Sequence, residues 1–136
     1  MSLIDELKKK YPQSLVWAFG DSPEMADELS ALVCRGIKTA SCGSLSAFRE
    51  DPDAPRPGSY SIILNGQGVP VCVIRTLSTC LLRFSAVTEA LAVKEGEGDL
   101  SLDYWRREHR SFFTREGTYS EDMEIVAEEF EVVELL

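Results

Sequence analysis

This chain has one histidine in 136 residues, four cysteines with no C-x-x-C pair among them, and far fewer basic than acidic side chains. Each shortage removes a class of function. A closed zinc site needs about four Cys or His ligands. Cys34, Cys42, Cys72 and Cys80 do not follow that spacing and have no neighbouring histidine, so no metal is expected, and no other cofactor. No apolar run reaches the roughly 18 residues of a membrane span, so no membrane partner is expected. The start, Met1-Ser2-Leu3-Ile4-Asp5, lacks the basic and apolar regions of a secretory signal. Reduced thiols and a cytoplasmic address follow as expectations. Lys and Arg total 14 against 23 Asp and Glu, a formal charge of -9. Between Glu116 and Glu134 there are eight carboxylates and no basic side chain. That balance excludes holding nucleic acid by phosphate neutralisation alone. Any RNA or nucleotide contact has to be made in a local pocket.

What is present reads as a single α+β domain over residues 1–136. The length supports one core without disulfides, and 44% hydrophobic residues suit a globular chain. Leu3, Ile4, Leu7 and Tyr11 mark a short amphipathic helix stopped by Pro12, followed by an apolar run, Leu15 to Phe19, that carries Trp17. Met25, Leu29, Leu32 and Val33 predict a helix from Pro23 to Arg35, with Ser22 as its cap and Gly36 as its stop. Arg49 to Gly58 holds three prolines and three acidic residues in ten, which predicts a loop. Ser59 to Leu64 and Val69 to Leu77 form a hairpin pattern around Asn65-Gly66-Gln67-Gly68, where Asn-Gly is expected to supply positive φ. The second run is apolar on both parities, as in a central strand, and continues through Leu82. Phe84 to Lys94 predicts a helix capped by Ser85. Ser101 to Phe113 predicts another, with Leu102, Trp105, Phe112 and Phe113 on one stripe. Met123 to Leu135 reads as a last strand, its alternation slipping between Val126 and Phe130 as at a bulge. These elements assemble into helices around a mostly antiparallel sheet of about five strands, curved or closed into a small β-barrel.

Two polar clusters stand apart from this framework. Gly36-Ile37-Lys38-Thr39-Ala40-Ser41 places an ammonium and two hydroxyls directly after a helix stop. Read alone, it is a surface loop with a solvated lysine. The second, Glu95-Gly96-Glu97-Gly98-Asp99, sets three carboxylates among glycines, which let backbone turn tightly or approach a ligand closely. Read alone, it is an acidic turn ahead of the next helix. That helix carries Arg106, His109 and Arg110. His109 projects from the apolar stripe, where a hydrogen-bonded core histidine is the ordinary outcome. Arg106 and Arg110, one turn apart, suit either salt bridges or phosphate contact.

Gly36, Lys38 and Ser41 match G-x-K-x-x-[ST] after a helix, and this resembles the signature of the ASCH domain, a family of the PUA-like superfamily. The Glu95 to Asp99 string with Trp105, His109, Phe112 and Phe113 is similar to one subgroup of that family. The resemblance runs from Trp17-Ala18-Phe19-Gly20-Asp21 to the final strand. It implies a PUA-like β-barrel with a cleft at the Lys38 segment, proposed to bind RNA or a nucleoside- or nucleotide-like small molecule. It also implies a hydrolase alternative, since some relatives deacylate N4-acetylcytidine and others cleave RNA. In the amidase type the motif lysine, the motif hydroxyl and a glutamate act. Lys38 and Ser41 match the first two, with serine where threonine is commoner, and Glu95 and Glu97 are both candidates for the third.

The residue chemistry admits either use. A desolvated lysine can lose its proton readily enough to serve as base for Ser41 or Thr39, or stay charged and hold an oxyanion or phosphate. In a binding module, Trp17 or Trp105 would stack a base beside Gly36, Thr39, Arg106, His109 and Arg110. Both uses carry a geometric demand. Residues 38 and 41 fall on opposite faces of a strand, so a shared site requires a break in the alternation between them.

Overall fold

The computed structural model describes residues 1–136. The first helix, α1 (Leu3–Lys10), starts on a capping box in which the Ser2 hydroxyl accepts the Asp5 N–H and the Asp5 carboxylate accepts the Ser2 N–H. After β1 (Leu15–Trp17) comes α2 (Pro23–Cys34), capped by the Ser22 hydroxyl on the Met25 N–H at 3.1 Å. The chain continues through β2 (Ala40–Ser44), α3 (Leu45–Glu50), β3 (Tyr60–Leu64), β4 (Pro70–Arg83), α4 (Glu89–Glu95), α5 (Leu102–Glu116) and β5 (Glu124–Leu135).

The five strands form one curled half-barrel sheet in the order β1-β3-β4-β5-β2. The β1–β3 pairing is parallel and the other three are antiparallel. The strand apolar on both parities, β4, is the central one, as its pattern predicts. It has 14 residues and pairs with β3 over its first half and with β5 along nearly its whole length. The slip near Phe130 is real, but the extra residue there belongs to β4: Thr76 pairs with Phe130 and Ser78 with Glu129, leaving Leu77 unmatched.

Three details differ from the sequence reading. The hairpin's left-handed residue is Gly68 (φ 75°), not the Asn-Gly pair. Gly66 is required for a different reason, since a Cβ there would lie 2.2 Å from the Pro23 carbonyl oxygen, and its N–H donates to Asp27 Oδ1 at 2.7 Å. Thr88, not Ser85, caps α4, because Phe84–Ala86 forms a separate 3-10 turn. Arg49 and Glu50 belong to α3, whose cap is the Ser44 hydroxyl on the Ala47 N–H.

The helices divide the core. α2 packs Leu29 and Val33 against Ile63, Cys72, Ile74 and Phe130, with Phe19 at the edge. α4 and α5 bring Ala92, Trp105 and Phe113 onto Phe84, Val87 and Ile125. α1 contributes Leu7 over Ile62 and Val73. Each fully buried side chain of this size is worth about 1.5–3 kcal/mol in transfer from water. Beside the first two clusters lies a polar cavity, lined by Lys38, Ser41, Glu95, Glu97 and His109.

Candidate ligand site around Lys38

Backbone bonds from three elements fix the lysine. The Leu32 carbonyl at the end of α2 accepts the N–H groups of Ile37 and Lys38 at 3.0 and 3.2 Å. The Thr39 N–H donates to the Lys94 carbonyl at 2.7 Å, and the Thr39 carbonyl accepts the Phe130 N–H at 3.0 Å. Lys38 is thus held between α4 and β5 before β2 begins at Ala40. It lies outside the strand, so the alternation does not separate it from Ser41. Both residues line one cavity of about 460 Å³, together with Glu95, Glu97 and His109.

The glycines around Glu97 serve close approach. At Gly96 (φ 71°) a Cβ would sit 2.5 Å from the Ile37 carbonyl oxygen, and at Gly98 (φ 59°) 2.4 Å from the Tyr104 ring. Only glycine fits either place, and the two contacts press the intervening Glu97 onto the lysine. Lys38 is 2% exposed, not a solvated loop side chain. Its Nζ donates to Glu97 Oε2 at 2.7 Å, Glu95 Oε1 at 3.1 Å and the Glu95 carbonyl at 3.4 Å. Burial alone would pull this ammonium down, but the charges of Glu95 and Glu97 outweigh it and hold Lys38 above the usual lysine range. The lysine is therefore an ammonium, and the expectation that desolvation frees it to act as a base is corrected.

Glu95 is saturated. Its Oε2 accepts the Trp105 indole N–H and faces His109 Nε2 at 3.3 Å, while Oε1 accepts Lys38. Burial pushes this carboxyl up, yet Lys38 and His109 together hold it well below the ordinary carboxylate range. His109 Nδ1 lies 2.9 Å from the Trp105 carbonyl, which only accepts, so Nδ1 carries a proton. With Nε2 pointing at a carboxylate, the ring is favoured as imidazolium. Burial lowers its pKa, Glu95 raises it, and the rise prevails. The ring also stacks on Trp105 at 4.0 Å. Two carboxylates and two cations make the cluster electrically balanced.

Glu97 differs from Glu95. Its side chain keeps 20% exposure, and only one of its oxygens is engaged, by Lys38. Ser41 lines the same cavity. Cys42 lines the wall as well, and burial and then the charge of Glu95 push its thiol well above the usual range, which disfavours the thiolate. Glu95, Glu97 and His109 offer ligand atoms within 4.8 Å of one another and could hold a metal ion. Lys38 Nζ already bridges one oxygen of each carboxylate, so a divalent ion there would lie against an ammonium.

The remaining candidates fall elsewhere. The Thr39 hydroxyl donates to the Lys94 carbonyl at 3.3 Å, and Gly36 is exposed with no atom near a built Cβ. Arg110 donates to Tyr119 and Glu121, and neither it nor Arg106 lines the Lys38 cavity. Trp17 lines a second cavity, of about 760 Å³. Trp105 is buried, its indole N–H given to Glu95. Sequence reasoning missed Tyr104 and Glu108 on the Lys38 cavity and the buried Glu128 on β5. Tyr104 was findable, one residue before Trp105 and thus beside the stripe. Glu128 was hidden in an acidic run.

A family model described as the ASCH domain matches residues 15–134. Among solved structures, an ASCH domain from Lactobacillus crispatus JV V101 shares 34% identity at a TM-score of 0.84, covering 98% of this chain and 87% of that one. Protein EF3133 from Enterococcus faecalis V583 shares 38% identity at a TM-score of 0.83, covering 98% and 91%. Hypothetical protein PH0355, 17% identical at a TM-score of 0.55 over 88% of this chain and 100% of that one, is alike in fold alone. The search of curated proteins gives no match.

Proposed function

The chain belongs to the ASCH domain family, and from that premise we propose that its Lys38 cavity binds a base or nucleoside, free or as an unstacked unit of RNA. The observation that carries this reading is the contrast between the two glutamates. Glu95 spends its oxygens inside the protein, whereas Glu97, fixed by the Lys38 ammonium, keeps an oxygen uncommitted at a cavity of about 460 Å³. A fixed carboxylate and aromatic walls from Phe19, Tyr104 and Phe112 suit the donor-bearing edge and flat face of a base. Buried ion clusters are costly to build, which adds support for a used site. Titrating ribonucleosides and short single-stranded RNA against intrinsic tryptophan fluorescence tests the reading. Saturable quenching by at least one of them is expected, and its absence for all of them refutes it.

A second reading, amide hydrolysis, draws on the presence of Ser41 among the residues that line the cavity. In it the Ser41 hydroxyl attacks an acyl carbon, its proton passes to Glu97, and the Lys38 ammonium stabilises the oxyanion. Glu97 then returns the proton to the departing amine, and water hydrolyses the acyl-serine. N4-acetylcytidine incubated with the wild-type protein and with Ser41→Ala separates the two readings. Release of acetate that Ser41→Ala abolishes supports hydrolysis. Binding without turnover supports the binding module.

A further inference from the structure

The second cavity lies where the half-barrel is open. Its walls include Leu15–Trp17 of β1 and Ser41–Ser44 of β2, the two edge strands of the sheet. Ser41 and Cys42 also line the Lys38 cavity, so the two spaces adjoin with the start of β2 as a shared wall. Inside it stands Glu128, opposite Ser41 in the β2–β5 register and only 9% exposed. Its Oε2 accepts the Thr76 hydroxyl, and its Oε1 takes no donor from the protein. Burial raises this carboxyl above its usual range, against the opposing effects of Thr76 and Lys38.

The charges around Glu128 favour one kind of ligand. Asp51 and Asp53 share the cavity wall with it, and Lys8 is the one basic residue there. In the adjoining cavity Lys38 and His109 are matched by Glu95 and Glu97, and Arg115 is paired with Asp21 at 3.0 Å. Glu28 and Glu108 remain there without a basic partner. A phosphate entering either space would bring about one to two negative charges against like charge.

We propose that the cavity between β1 and β2 is a second subsite for the ligand of the Lys38 cavity, accepting an uncharged or cationic donor group, a hydroxyl or amine, at Glu128 and excluding phosphate. The proposal rests on the nucleoside reading given above and adds that the preferred ligand is phosphate-free.

Gly43 offers a clean test. It lines this cavity and not the Lys38 one, its φ is not left-handed, and a Cβ there meets no atom within 4 Å. Gly43→Leu therefore fills the subsite from an unstrained position. The four ribonucleosides and their 5′-monophosphates are titrated calorimetrically into the wild-type protein and Gly43→Leu, with thermal midpoints recorded for both. The expected result is a monophosphate affinity at least tenfold below that of the nucleoside. Gly43→Leu should lose at least tenfold in nucleoside affinity at an unchanged midpoint. Unchanged nucleoside affinity in the folded variant, or monophosphates binding wild type as tightly as nucleosides, overturns the subsite. If the wild-type protein binds no nucleoside at all, the reading beneath it falls instead. The monophosphate comparison uses the wild-type protein alone and holds whether or not the variant folds.

Discussion

At the scale of single residues, Glu95 and Glu97 look equivalent in sequence and differ in their bonding. Glu95 receives donors from Lys38, Trp105 and His109 in a fully buried place. Replacing it by Gln removes the charge that offsets two buried cations, and breaking such an arrangement costs about 3–5 kcal/mol. Urea denaturation of Glu95→Gln should show that loss, whereas Glu97→Gln, which leaves Glu95 on the lysine, should lose about 1.5–3 kcal/mol. Equal losses would contradict the division of roles. His109 adds a pH signature. Its folded pKa lies above the unfolded value of about 6.5, so its contribution is complete below pH ~6.5 and is lost as pH rises through the folded value. Glu95 has the opposite sign: its lowered pKa gives stability above about pH 4.5 that fades as pH falls toward the folded value. Urea midpoints of wild type and His109→Gln across this range should converge at the alkaline end, since the wild type there loses what the variant lacks. A constant gap from acid to alkali would contradict a charged His109.

At the scale of elements, the site depends on how α4 ends. Gly96 and Gly98 let the turn touch Ile37 and the Tyr104 ring, and that contact delivers Glu97. Gly98→Ala would carry a Cβ at φ 59° into the Tyr104 ring. A left-handed alanine costs about 1–2 kcal/mol before the clash is counted, so chemical denaturation should show at least that loss, together with weakened ligand binding. A variant of wild-type stability would refute the close packing. The same elements show what sequence could reveal. The cap at Ser22, the Gly36 stop and the run of β4 that is apolar on both parities are local signals, and the elements follow them. The 3-10 turn before α4 and the role of Gly66 against Pro23 arise from tertiary contacts between distant segments, which no local pattern records. Lys38 and the Glu95 string were legible as candidates because their residue types make poor core. The balance of charges that keeps Lys38 protonated, and the saturation of Glu95, exist only once α5 brings Trp105 and His109 alongside.

At the scale of the molecule, a charge of -9 and a balanced ion cluster leave little to attract a phosphate backbone. If short RNA binds, it does so through an unstacked base. The slope of log affinity against log salt should then be shallower than about -1, where proteins that neutralise many phosphates show about -0.7 per contact on single strands. Anisotropy titrations from low to high salt measure it, and a steep slope would place phosphate contacts at the heart of binding.

The central claim is that Glu97, anchored by Lys38, is the group that meets the ligand. Calorimetric titration of ribonucleosides into wild type and Glu97→Gln tests it most directly. The account predicts measurable binding to the wild-type protein and at least a tenfold loss in a variant that remains folded. Equal affinity in the two proteins would contradict it.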